Sequence, residues 1–115
     1  MFINSTDYFN KSLKYSTHVK QHEIIVVRTN KDIKNMILYF SNFIDKKNKN
    51  KYVGLDFEFN SSEEGKKIAL FQINLECDDN EAKIFIFYPP DLNNYHTSIL
   101  KKLLLDKDIK KILHG

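Results

Sequence analysis

Asp56 and Glu58 stand two positions apart in the stretch Val53-Gly54-Leu55-Asp56-Phe57-Glu58-Phe59. Strand side chains alternate between faces, so in a strand both carboxylates project from one side while Leu55, Phe57 and Phe59 take the other. Acids on a mostly apolar strand are costly to bury without a partner, and the natural partner of converging carboxylate oxygens is a hard divalent cation such as Mg²⁺ or Mn²⁺. Two such ions about 3.5 to 4 Å apart can clamp the attacking and leaving oxygens in phosphodiester hydrolysis. An edge strand whose two acids simply face water needs no ion. The pair alone does not choose between these arrangements; the elements around it must.

Those elements follow from hydrophobic periodicity. Glu23 to Arg28 is a compact β-branched run that reads as a strand, and Thr29 and Asn30 offer side-chain oxygens to cap a following helix. Ile33, Met36, Ile37, Phe40, Phe43 and Ile44 form one apolar stripe at helical spacing, which predicts a core-facing helix rather than a cofactor-binding one. Asp45 to Lys51 is a polar, lysine-rich loop, and Tyr52 to Phe59 has strand composition. Asn60 to Gly65 reads as a turn, Lys67 to Glu76 as a third strand, Cys77 to Asn80 as a turn and Lys83 to Tyr88 as a fourth strand. Three strands joined by short polar turns predict an antiparallel meander. Pro89 and Pro90 end it, because neither has an N–H for the ladder. Asp91 to Asn94 form a loop, Ile99, Leu103 and Leu104 mark a second helix, and Ile109 to Leu113 a short strand running into His114 and Gly115. Residues 1–22 show no sustained period and read as an arm or irregular cap. The order predicts an α/β domain with a mixed sheet and helices packed against it.

A chain of 115 residues, 42% hydrophobic and 29% charged, is one domain's worth of sequence with enough apolar content for a core, which excludes a wholly disordered or collagen-like chain. The longest aliphatic run, Ile24 to Val27, is far short of the roughly 20 residues a membrane helix needs. Asp7 and polar neighbours stand where a signal peptide would be apolar, so secretion is not expected. The single Cys77 excludes an intramolecular disulfide or a cysteine-rich zinc site, and an intracellular setting is expected. Net charge is only +3, and lysine supplies nearly all of the cationic residues. Abundant Lys, Asn, Ile, Tyr and Phe point to an A/T-rich coding genome, which gives clusters such as Lys46, Lys47, Lys49 and Lys51 an explanation other than a nucleic-acid patch.

With the elements in place, Val53 to Phe59 resembles the first motif of the RNase D-like, or DEDD, 3′-5′ exonucleases, in which an Asp and a Glu on a central strand bind two metal ions. Ile68-Ala69-Leu70-Phe71-Gln72-Ile73 and Ile84-Phe85-Ile86-Phe87 are similar to the family's next two strands. Ile109-Lys110-Lys111-Ile112-Leu113-His114-Gly115 resembles the approach to its second motif. The resemblance covers residues 23–115, the N-terminal part of such a domain, and implies an RNase H-like fold with Mg²⁺ or Mn²⁺ and the 3′ end of DNA or RNA as partners. It makes Asp56 and Glu58 the metal-binding catalytic pair, with Asp56 bridging both ions and a nucleoside monophosphate as product. The second-motif Asp and the third-motif Asp, which follows a Tyr or His, have no counterpart here. Activity is therefore expected to need residues supplied from elsewhere, and the alternatives are a non-catalytic binding remnant or one half of a split nuclease. A domain lacking the elements that cover one sheet face is also expected to self-associate or take a second chain. Phe59 stacking on a terminal base and His114 near a phosphate are candidate substrate contacts, each against a plain packing or strand-end role. Gln72, beside the acidic strand, reads as a hydrogen-bonding residue within the sheet. His18, His22 and His96 lack metal-ligand spacing and receive no role.

Overall fold

The computed structural model describes residues 22–61, 67–79 and 81–113, with side chains described except at 58–61, 67 and 68. The elements are β1 (Glu23–Val26), α1 (Asn30–Asp45), β2 (Lys51–Ser61), β3 (Lys67–Cys77), β4 (Ala82–Phe87), a 3₁₀ turn (Pro89–Asp91), α2 (Asn94–Leu105) and β5 (Ile109–Leu113). The strands form one sheet in the order β1-β4-β3-β2-β5. β2, β3 and β4 make the expected antiparallel meander, while β1 joins β4 and β5 joins β2 in parallel. The two parallel pairings are reached through helical connections, as parallel strands require. A five-stranded mixed sheet flanked by two helices is an RNase H-like α/β fold.

The apolar stripe of α1 behaves as its spacing demands. Ile33, Met36, Ile37, Phe40 and Phe43 are buried, and they share one core with Ile99, Leu100 and Leu103 of α2. Both helices cover the sheet face formed by Val53, Leu55, Ile73, Leu75, Phe85 and Phe87. Phe40 meets Phe85 edge-on at 5.5 Å between ring centroids, a favourable use of the ring quadrupoles beyond area burial. The next residues along each strand face the other way. Leu70, Gln72, Ile84 and Ile86 are buried outside the helix-side cluster, and Asp56 belongs to their face.

Each helix is held at both ends by named groups. Thr29 caps α1: its hydroxyl accepts from the Asp32 N–H at 3.1 Å, and Asp32 accepts in return from the N–H groups of Thr29 and Arg28, each at 3.0 Å. Asn93 caps α2 through the N–H of His96 at 2.8 Å, and His96 Nδ1 accepts from the Asn93 N–H at 3.1 Å. At the far ends, buried Lys51 donates to the carbonyls of Ile44 and Lys46 at 2.7 and 3.0 Å. Lys111 donates to the carbonyls of Asp106 and Ile109. A lysine from the strand after each helix thus meets carbonyls at its C-terminal end, where the backbone dipoles favour a cation.

Several sequence expectations need local correction. β1 stops at Val26, although Val27 still donates to the Ile86 carbonyl at 2.8 Å. β2 runs through Asn60 to Ser61 because both pair with β3, so ladder bonding outweighs the turn preference of Asn and Ser. β4 ends at Phe87, one residue early, and Tyr88 begins the 3₁₀ turn. His22, given no role from spacing, has a buried side chain, with Nε2 2.7 Å from Glu76 Oε1 beyond β4. In-register Ala82 lies between β1 and β3 at that level, and its small side chain leaves room for the contact. The remainder of the expected N-terminal arm, including His18, lies outside the described residues.

Candidate functional site

β2 is flanked on both sides over Lys51–Leu55, where β5 pairs with it, and at Asp56 and Glu58 the described ladder pairs it with β3 alone. Asp56 pairs across the antiparallel ladder with Gln72, which pairs with Ile86, which pairs with Val26. The neighbouring row on that face contains Ile24, Ile84, Asn74, Gly54 and Ile112. Asp56 is half-buried and Gln72 is 7% exposed, whereas Ile112 at the β5 edge is 45% exposed. The carboxylate therefore sits on a sheet face that is apolar toward β4 and open toward β5.

Asp56 Oδ1 accepts from the Phe57 N–H at 2.9 Å, leaving Oδ2 for another partner. Glu58 lies opposite Leu70 and Phe59 opposite Ala69, but their side chains, and the whole of His114, lie outside the described residues. A half-buried carboxylate is a donor of the type that Mg²⁺ and Mn²⁺ select. Among the described residues no three His, Cys, Asp or Glu side chains gather into a metal-binding group. The described donor set fits a hard cation in kind, and it is short in number.

Phe57 follows Val53 and Leu55 on the helix-covered face of β2. It is 44% exposed and meets Phe71 edge-on at 4.5 Å, with Phe87 completing a row of aromatic rings across β2, β3 and β4. The row lies on the face opposite Asp56. Gln72 is buried and pairs across the ladder with Asp56.

The lysines divide by function. Lys51 and Lys111 belong to the helix ends. Lys46 bridges Asp79 at 2.8 Å and Glu81, tying the end of α1 to the β3–β4 turn. Burial works against the Lys46 charge, but the hydrogen bonds it donates to Asp79 and Glu81 outweigh it and raise the pKa. The same Lys46 contact lowers Asp79 to about 2. Nearby Tyr39 is pushed up by burial and by the Glu81 carboxylate. The signal for the two helix-end lysines was their phase: each shares a strand face with buried residues, Lys51 with Val53 and Leu55, Lys111 with Ile109.

Comparison with known proteins follows the same outline. A family model described as 3′-5′ exonuclease matches residues 24–115. An uncharacterized protein of Acanthamoeba polyphaga mimivirus is 38% identical over 74 residues, covering 59% of this chain and 13% of the viral protein. The chain thus spans a small part of the length of that relative. No solved structure matches the chain.

Proposed function

Because this chain belongs to the 3′-5′ exonuclease family, we propose that residues 23–115 are the N-terminal part of a metal-dependent exonuclease domain that removes nucleotides from the 3′ end of DNA or RNA. The observation that carries the reading is Asp56 on β2 of an RNase H-like sheet, one residue past the segment that β5 flanks, with Glu58 two residues further along the same strand. In this reading Asp56 and Glu58 are the catalytic carboxylates and hold Mg²⁺ or Mn²⁺. The ions, when bound, polarise the scissile phosphate and lower the pKa of the attacking water. The protein's part is to fix the carboxylates: Asp56 by its strand position and the Phe57 N–H, Glu58 by its place in the ladder. Phe59 and His114 remain the candidate substrate contacts, for the terminal base and a phosphate. The setting is intracellular.

A second reading rests on the shortfall of metal-binding groups among the described residues. Here the carboxylates that complete the site come from a second chain or another copy, or the domain binds nucleic acid without cutting it. Both readings meet one assay: release of mononucleotides from a 3′-labelled single strand with Mg²⁺ or Mn²⁺, comparing this chain, Asp56→Asn and an EDTA control. Metal-dependent release that is lost in Asp56→Asn establishes the exonuclease. A folded chain that binds the strand without releasing nucleotides refutes self-sufficient catalysis and selects the second reading.

A further inference from the structure

We propose that residues 1–21 of this chain occupy the sheet face opposite the two helices, over β1, β4 and β3, and so border the row that carries Asp56. The strands call for cover on both faces. Ile84-Phe85-Ile86-Phe87 and Ile24-Ile25-Val26 are apolar at every position, the pattern of strands buried on two sides rather than one. α1 and α2 cover the side of Phe85 and Phe87, and Leu92 after the 3₁₀ turn packs on that side too. On the other side Ile84 is 0% exposed, and Ile86, Gln72 and Leu70 are buried with it, outside the helix-side cluster. Side chains stand roughly perpendicular to a sheet, so a bare face leaves their tips in water and this burial requires atoms above the strands. The cover is confined to one half of the face: Ile24 and Val26 of edge strand β1 are half-buried, whereas Ile112 of edge strand β5 is 45% exposed.

One segment of the chain can supply that cover. Residues 62–66, 80 and 114–115 hold no apolar side chain, whereas residues 1–21 bring Phe2, Ile3, Tyr8, Phe9, Leu13 and Val19. The chain enters β1 through His22, whose buried imidazole already lies on this face against Glu76 of β3. From there β3 is two strand spacings away, about 10 Å, and residues 1–21 fully extended reach about 70 Å. Charge agrees with the seat, since Lys11, Lys14 and Lys20 outnumber Asp7 in the segment and the face presents Asp56 and Glu76. The segment closes the β1–β4–β3 half of the face and leaves Asp56 approachable from the side of β5.

The test is NMR on the full 115-residue chain with labelled isoleucine methyl groups. A soluble gadolinium chelate should broaden Ile112 and leave Ile84 and Ile86 as sharp as Ile99 of the helix-side core. Nuclear Overhauser cross-peaks are expected from the Ile84 and Ile86 methyls to protons of residues 1–21, foremost the rings of Phe2, Tyr8 and Phe9, and none from those rings to Ile37 or Ile99. Broadening of Ile84 and Ile86 together with Ile112 shows a bare face and overturns the proposal. Sharp methyls without cross-peaks to residues 1–21 overturn it too. If the cross-peaks arise between chains, in a sample mixing labelled with unlabelled protein, the face belongs to a second copy and the assignment to the chain itself is overturned. None of these outcomes depends on the exonuclease reading.

Discussion

At the scale of single residues, the acids and the lysines were unequally legible. Asp56 and Glu58 stood out by their two-residue spacing on an apolar strand, but that spacing alone left a water-facing pair as open as a metal-holding one. What no spacing could show was the cross-strand register that makes Gln72 the neighbour of Asp56, since register is set by pairing between distant segments. The lysines were misleading for another reason. A compositional surplus of one residue type hides the members with specific work, and Lys51 looked like the end of a solvated loop. Lys51→Met removes the donor that serves the Ile44 and Lys46 carbonyls. It is expected to lower the unfolding free energy by about 1–3 kcal/mol, measured by urea titration. Asp56→Asn should show the opposite separation, abolishing Mn²⁺ binding and any nucleotide release while leaving the urea midpoint within about 0.5 kcal/mol of wild type. A midpoint that falls with Asp56→Asn would make Asp56 a framework residue first.

At the scale of elements, the core-facing stripe of α1 and the β2–β4 meander were readable because each carries a clean period over many residues. Ends were less readable, since they depend on contacts with other segments. Asn60 and Ser61 have turn chemistry and lie in a strand, because Ile68 and Lys67 pair with them. His96 fills the reciprocal capping position that Glu or Gln usually takes, so the start of α2 lacked its ordinary signature. The α1 cap allows a sharper forecast. The backbone N–H groups of Arg28 and then Thr29 lower the Asp32 pKa below its usual 3.8. Because the folded value is the lower one, the stabilisation is fully present above the unfolded value and disappears as pH falls through the folded value. Asp79 follows the same sign, from 3.8 when unfolded to about 2 when held by Lys46 and the Glu81 N–H. The melting temperature should therefore fall as pH drops from about 4 toward 2, and fall less steeply in Asp32→Asn and Asp79→Asn. Equal slopes in all three proteins would refute the assignment. Thr29→Ala, which leaves the Asp32 N–H without its cap, should cost about 1 kcal/mol at neutral pH.

At the scale of the whole molecule, the described sheet is guarded unevenly. β1 and β5 are its edges. β1 opens with Glu23 and is anchored by His22, whereas β5 ends with Ile112 and Leu113 exposed on opposite faces. Charged side chains normally discourage such an edge from pairing with another chain, and β5 contains Lys110 and Lys111. Lys111 is unavailable for this, because its ammonium is turned back onto the Asp106 and Ile109 carbonyls. The closing of α2 thus takes Lys111, and Lys110 is the exposed charge that remains on β5. The apolar end of β5 also adjoins the open side of the Asp56 row, where a second chain could complete the carboxylate set. We therefore expect the chain to self-associate through this edge, with a weight-average mass by light scattering that rises with protein concentration. Leu113→Lys adds a charge at the apolar end of the edge without touching the α2 contacts and should hold the protein monomeric over the same range at unchanged helicity. Lys111→Met is the counterpart, expected to lower stability by about 1–3 kcal/mol by leaving the two carbonyls unserved, while self-association persists. A wild-type chain that stays monomeric throughout the series rules out β5 as a contact edge and makes Ile112 and Leu113 ordinary exposed apolar residues of a single-copy fold.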